Sequence, residues 1–312
     1  MPFAATWGKL LERELAHCAA LGVQGFRAVE TLNFGVSGYS TAQELLTLRH
    51  EADRYDPDLV LLAFYAGNDV RNNQRSLEQD PQRPYFVVTS DSKDATDRLV
   101  LDDSFRQSSS YRLRTTGPAR LLYALFHRSV LLQATKKAKG HVDGWIGSWK
   151  ARQKEQGAAI QELGLDNAVY APPSDAESGA DWRQAWTATE AMLAAMNRVA
   201  TERHRNFAMV SLTTPIQVDP DPAVRARFRD QLGVDSLSYP DDRLGEIAAQ
   251  EGFPYLALAP QIGPLAEREK VYLHGFPNTQ PGEGHWNERG HREAAKALGP
   301  WLCGVAAGGR RR

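Results

Sequence analysis

The stretch Leu59-Val60-Leu61-Leu62-Ala63-Phe64-Tyr65, followed by Ala66-Gly67-Asn68-Asp69, is the most apolar part of the chain and decides its fold class. Asp56-Pro57-Asp58 precedes it, so turn-forming residues bound the run on both sides. A short, continuous apolar run of this kind is typical of a strand buried on both faces of a parallel sheet.

Alternating helix and strand patterns extend outward from this run. Further strands are predicted at residues 26–34, 207–212 and 253–259. Helices are predicted at residues 7–18, 41–54, 186–204 and 242–251 and around Ala294 to Leu302. Such alternation predicts an α/β fold with a mostly parallel sheet.

Residues 70–180 are the least regular stretch and read as a long insertion. Within it, residues 118–139 are basic and carry an apolar stripe. This segment fits a lid helix, or a surface that lies against another chain or a membrane. A helix packed on the core with its lysines outward is the favoured alternative.

Charge and cysteine content exclude several classes of protein. The 312 residues contain 37 Lys and Arg against 38 Asp and Glu, a net charge of −1, which argues against a dedicated nucleic-acid partner. The longest apolar run is about half the ~18–20 residues that cross a bilayer. Cys18 and Cys303 lie at apolar positions near opposite ends, and no C-x-x-C pair occurs. We therefore expect two free cysteines, with neither a zinc cluster nor a disulfide scaffold.

Three polar clusters follow predicted strands or precede a helix, where ligands bind in open α/β sheets. They are Gly35-Val36-Ser37-Gly38, Gly67-Asn68-Asp69, and Gly282-Glu283-Gly284-His285-Trp286-Asn287 with Gly290-His291. Each alone also fits an ordinary turn. An asparagine amide can donate to a developing oxyanion, and His285 is the best general base among eight histidines. The six-residue spacing of His285 and His291 does not match a zincin pair, so neither a metal nor another cofactor is expected.

Taken together and in this order, the three clusters resemble the SGNH (GDSL-type) hydrolase superfamily. The resemblance implies a flavodoxin-like, three-layer α/β/α sandwich over residues 1–312 as a single domain, with an insertion or lid at about residues 70–180. It also implies that Gly38 and Asn68 form an oxyanion hole and that His285 is the catalytic histidine.

Two features depart from the family pattern. No Gly-Asp-Ser, the block that carries the nucleophilic serine, occurs in the chain, and the first strand is also absent. We therefore expect a recorded start downstream of the true one, a gap or a non-family pairing in the sheet, and little activity. Gly282 stands where the family has its acid, so Glu283 is the nearest candidate, with a Ser–His dyad as the alternative. Ser37 and Ser40 are weaker candidates for a replacement nucleophile.

The resemblance implies a serine esterase for a small-molecule, glycan or lipid acyl ester. Two alternatives stay open: a non-catalytic protein that binds acyl-glycans or lipids, and an O-acyltransferase, which shares the acyl-enzyme step. His-Trp-Asn resembles a motif of SGNH-like proteins that handle O-acetyl groups on polysaccharides, so carbohydrate esters are preferred. The sequence leaves membrane contact, oligomeric state and location open.

Overall fold

The computed structural model describes residues 2–23, 25–78, 80, 82–89, 99–129, 165–276 and 281–308. Its strands are β1 (Leu59–Phe64), β2 (Tyr85–Val88), β3 (Leu99–Asp102), β4 (Asn206–Ser211) and β5 (Tyr255–Ala257). Its helices are α1 (Trp7–Leu15), α2 (Ala19–Val23), α3 (Thr41–His50), α4 (Ser109–Thr115), α5 (Gly117–Arg128), α6 (Ala180–Glu202), α7 (Pro222–Leu232), α8 (Tyr239–Glu251), α9 (Ala259–Glu269) and α10 (Glu288–Gly308).

The main sheet has the order β1-β4-β5, and both pairings are parallel. Leu59 lies opposite Asn206 and Phe64 opposite Ser211, so β1 and β4 end together at one edge. Strands β2 and β3 form a separate two-stranded sheet. The mixed α/β architecture with a parallel sheet is confirmed.

Two apolar cores lie on opposite faces of the main sheet. Leu62 and Phe64 of β1 pack in one core with side chains of α3, α6 and α8. Leu61 and Ala63 of the same strand pack in the other core with α1 and α10. Alternate residues of β1 therefore serve different helical layers, which explains why the run lacks polar residues and confirms the three-layer arrangement.

The predicted strand at residues 26–34 is wrong, because the structure has no strand there. The Thr31 backbone N–H bonds the Glu12 carboxylate of α1 at 2.6 Å, and the Thr31 hydroxyl bonds the same carboxylate at 2.8 Å. The Glu12 side chain thus accepts a hydrogen bond from the Thr31 backbone N–H, which would otherwise be available to pair with a neighbouring strand. Within the described residues β1 carries no strand on its other edge, in line with the expected defect in the sheet.

The prediction of free cysteines is also wrong. Cys18, between α1 and α2, forms a disulfide with Cys303 of α10, and their Cα atoms lie 5.6 Å apart. The two residues are 285 positions apart in sequence. They meet because Leu11 and Leu15 of α1 share one core with Leu298 and Leu302 of α10.

The chain divides into two compact units. The first comprises residues 1–79, 85–100 and 165–312, and the second comprises residues 80–84 and 101–164. Single-domain organisation with an insertion at about residues 70–180 stays a prediction. In the described part of the chain, no helix combines the length and apolar character needed to cross a membrane.

Helix α5 covers the first part of the basic segment predicted at residues 118–139, and residues 130–139 lie outside the described residues. Leu121, Leu122 and Leu125 are exposed. The favoured expectation of a helix packed on the core stays a prediction.

Candidate active site

The carboxyl ends of β1 and β4 place two loops at one edge of the sheet. Tyr65 to Asp69 follow β1, and Leu212 to Thr214 follow β4. Because Phe64 lies opposite Ser211, both loops begin at the same level. This is the edge at which open parallel sheets bind their ligands.

The loop after β1 is held by Asp69, which is buried. Its carboxylate accepts the backbone N–H of Tyr65 at 2.6 Å, and the Asn72 N–H bonds the carbonyl of Asn68 at 2.8 Å. Burial and the Asp69 charge raise the pKa of Glu44 well above its ordinary range. Asn68 is half-buried, and its carboxamide makes no hydrogen bond to any described residue.

The turn before α3 contains Gly38, whose φ of +80° favours glycine. Ser37 and Gly38 are exposed, whereas Ser40 is fully buried and its N–H bonds the Gln43 side chain at 3.0 Å. This bond fixes the start of α3 next to the turn.

Asn73 connects this turn to the loop after β1. Its amide donates to the hydroxyls of Thr41 at 3.1 Å and Thr189 at 2.8 Å. All three side chains are buried. The sequence analysis missed Asn73, because its partners lie on two other helices and no local pattern brings them together.

The third cluster is anchored to the loop after β4. Trp286 is buried, and its indole N–H donates to the Thr213 hydroxyl at 2.7 Å. The Thr213 hydroxyl lies 3.0 Å from Nε2 of His274, whose Nδ1 lies 2.8 Å from the Gly284 carbonyl. A carbonyl only accepts, so Nδ1 carries the proton and Nε2 accepts from Thr213.

This Thr213–His274–Trp286 group holds the loop that carries His285. The Gly275 N–H bonds the His285 carbonyl at 3.0 Å, while the His285 side chain is exposed. Burial, with smaller electrostatic contributions from the neighbouring His285 and His291, lowers the pKa of His274 to about 4. The sequence analysis missed both Thr213 and His274. A histidine eleven residues before His-Trp-Asn is a signal only when the antiparallel pairing of His274 with Trp286 is known.

Glu283, the candidate acid, is exposed and makes no hydrogen bond to His285 within the described residues. Its orienting role stays a prediction. The convergence of Gly38, Asn68 and His285 in one crevice also stays a prediction. Asn68 lies in the loop after β1, whereas Gly38 and His285 lie in the loops before α3 and α10.

His291 has a structural position. Its Nδ1 accepts the backbone N–H of Trp7, the first residue of α1, at 3.2 Å, and its ring makes an edge contact with Trp286. Burial lowers the pKa of His291. Among the described residues, no three His, Cys, Asp or Glu side chains are grouped so as to hold a metal ion.

A second buried polar group lies beside the end of β4. The Ser211 hydroxyl donates to the Asp241 carboxylate at 2.5 Å, and Gln217 donates to the same carboxylate at 2.8 Å. Burial raises the pKa of Asp241 to about 6. Asp241 and Gln217 line an open cavity of about 1060 Å³ between α7, α8 and α9. No imidazole bonds Ser211 in the described chain, so this serine lacks the base that activates a nucleophile.

Comparison with known proteins decides the family. The model of the GDSL-like lipase/acylhydrolase family matches residues 2–298. The chain belongs to this family. No curated protein and no solved structure gives a significant match. Membership of the GDSL-like lipase/acylhydrolases supports a general acyl-hydrolase role for the chain and agrees with its α/β/α layers.

Proposed function

We propose that this GDSL-like lipase/acylhydrolase acts on O-acyl esters of carbohydrates or lipids, with carbohydrate esters preferred. In this proposal the Gly38 N–H and the Asn68 amide form the oxyanion hole, His285 is the general base and Glu283 orients it. The observation that carries the proposal is the Asn68 carboxamide, which has no hydrogen-bond partner among the described residues although bonds at Tyr65 and Asn72 fix its loop.

A fixed, unpaired amide at the end of a parallel strand suits an oxyanion. As the ester carbonyl becomes tetrahedral, its oxygen gains negative charge, and donors already in position stabilise that charge without reorganisation. An exposed imidazole on a loop anchored by buried bonds is suited to taking a proton from an attacking hydroxyl and returning it to the leaving alcohol.

The nucleophile is the part of the machinery that residues 1–312 do not supply in family form, since Gly-Asp-Ser is absent from them. Ser37 lies next to Gly38 on the exposed turn. We assign Ser37 to the wall of the oxyanion hole, because it belongs to the turn whose N–H groups face the substrate in this proposal. We therefore expect little ester turnover from these residues alone.

Hydrolysis of p-nitrophenyl acetate tests the assignment. The chain is compared with a version in which an apolar strand ending in Gly-Asp-Ser precedes Met1. We expect turnover mainly from the second protein. In it, Asn68→Ala should lower kcat by ~10²–10³, and His285→Ala should remove nearly all activity. Asn197→Ala, on α6, is the matched asparagine control and should leave kcat unchanged.

Two results would contradict this assignment. Robust turnover by the unextended chain that Ser37→Ala abolishes would place the nucleophile at Ser37. Full activity of Asn68→Ala in the extended protein would remove Asn68 from the oxyanion hole.

Non-catalytic binding is the second candidate, favoured by the absence of Gly-Asp-Ser. It predicts that an acetylated oligosaccharide binds the chain in calorimetry while neither version releases acetate. Transfer of the acetyl group to an added alcohol, measured in the same extended protein, would identify an O-acyltransferase.

A further inference from the structure

The helical pair α4 and α5, with the short turn before it, has an uneven charge. Residues 104–128 contain five arginines and no acidic residue, although the whole chain has a net charge of −1. The arginines are Arg106, Arg112, Arg114, Arg120 and Arg128. This positive charge is therefore confined to one part of a nearly neutral protein.

Three leucines of α5 form an exposed apolar stripe. Leu121, Leu122 and Leu125 are 63%, 70% and 55% exposed. Positions i, i+1 and i+4 of a helix lie within about 100° of each other around its axis, so the three side chains share one side. Leu113 of α4 is also exposed, at 69%. Isolated exposed leucines are ordinary, but a stripe on one helix side indicates a contact surface.

Most arginines of α4 and α5 have no acidic partner among the described residues. Arg112, Arg120 and Arg128 form no ion pair in the described part of the chain, and all three are exposed. Arg114 bonds the neutral side chain of Gln82 at 2.9 Å, and Arg106 lies 3.5 Å from Asp103. Among the described residues, most of this positive charge is therefore not compensated by an acidic side chain, and it suits an external anion.

We propose that the α4–α5 surface, meaning Leu121, Leu122 and Leu125 with Arg112, Arg120 and Arg128, docks on an anionic lipid bilayer. The leucines enter the boundary between headgroups and acyl chains, and the arginines bind lipid phosphates. Charge complementarity favours this occupant over a second copy of the chain, whose identical surface would bring two sets of arginines together. The leucine stripe favours it over nucleic acid, which offers phosphates but no matching apolar layer.

Vesicle flotation of the full chain tests the proposal. Phosphatidylcholine vesicles are compared with vesicles that also contain phosphatidylglycerol. We expect at least about tenfold stronger binding to the anionic vesicles, weakened by added salt. Changing Leu121, Leu122 and Leu125 to glutamine should weaken that binding by about 100-fold. Changing the three arginines to glutamine should weaken it by a similar factor of about 100.

Phe3→Gln with Val23→Gln is the matched control, because both apolar side chains are exposed, at 70% and 77%, and lie outside this surface. That variant should bind anionic vesicles as the parent does. Unchanged circular dichroism spectra and melting temperatures show that all three variants are folded.

Three results would overturn the proposal. One is equal or no binding to the two kinds of vesicle. Another is a dimer in light scattering that the leucine variant abolishes, which would assign the stripe to a second copy. The last is binding to duplex DNA that the arginine variant loses and the leucine variant keeps, without vesicle binding by the parent.

Discussion

Replacing His274 with asparagine tests the group that anchors the His285 loop. In the folded protein the neutral ring accepts from the Thr213 hydroxyl at 3.0 Å and donates to the Gly284 carbonyl at 2.8 Å. Asparagine keeps an amide donor for Gly284 but has no titrating group. The substitution therefore separates the proton equilibrium of this site from its packing.

The magnitude follows from the pKa of His274, which burial lowers from 6.5 to about 4. Between these two pH values the unfolded chain binds a proton at residue 274 and the folded chain does not. The free energy of unfolding therefore falls as the pH falls through this window. At about pH 4, the pKa of His274 in the folded protein, this difference lowers the free energy of unfolding by roughly 3 kcal/mol. Above about pH 6.5 this contribution is fully present.

Urea unfolding between about pH 4 and pH 7 measures this effect. We expect His274→Asn to remove roughly 3 kcal/mol of the loss that the parent shows on acidification. His17→Asn is the control, because His17 is exposed on the turn after α1, and its pH profile should match the parent. A parent-like slope in His274→Asn would refute the assignment of a neutral, buried His274.

Three further changes test other parts of the first unit. Reduction of the Cys18–Cys303 disulfide, or Cys303→Ser, should lower the free energy of unfolding by about 2–5 kcal/mol in urea, because the bond closes most of the chain into a loop. An unchanged unfolding midpoint would show that the bond is absent. Asn73→Ala should cost about 2–3 kcal/mol in the same assay, since it leaves two buried threonine hydroxyls without their donor, whereas a loss below about 0.5 kcal/mol would contradict that geometry. Gly290→Ala should lower the melting temperature by several degrees, because a Cβ there would lie 2.3 Å from the Leu273 carbonyl oxygen; a parent-like melting curve would refute that close approach.

The sequence predicted a strand of the sheet correctly where a continuous apolar run reflects burial on both faces. The apolar run at residues 59–65 became β1, because it is buried against helices on both faces. The strand predicted at residues 26–34 failed because its apolar pattern says nothing about the neighbour that each backbone N–H meets. At Thr31 that neighbour is the Glu12 side chain.

The cysteine pair shows the same limit over a longer range. Each cysteine matched an apolar helix position, and a spacing of 285 residues offered no local reason to pair them. Pairing depends on the packing of α1 against α10, which only the tertiary structure shows.

In the candidate site too, the sequence located some residues and missed others. The sequence located Asn68 and His285 because each lies next to a glycine in a short polar cluster, after a predicted strand for Asn68 and before a predicted helix for His285. Such clusters can be recognised from the sequence alone. It did not locate Thr213, His274 or Asn73. Their partners lie 61, 73 or 116 residues away along the chain, so no window of sequence contains a whole hydrogen-bonded group.

The His-Trp-Asn block shows how a motif can be specific without being mostly catalytic. Trp286 bonds Thr213, Asn287 bonds the Tyr272 carbonyl at 2.8 Å, and His291 accepts from Trp7. Each of these side chains ties the start of α10 to a different part of the fold. His285 alone among the aromatic side chains of this block is exposed. Most side chains of the block therefore hold the fold together, and they present a single exposed imidazole. Because Trp286 is buried, it offers no exposed surface on which a sugar could stack. The preference for carbohydrate esters therefore rests on the resemblance of His-Trp-Asn to the family motif.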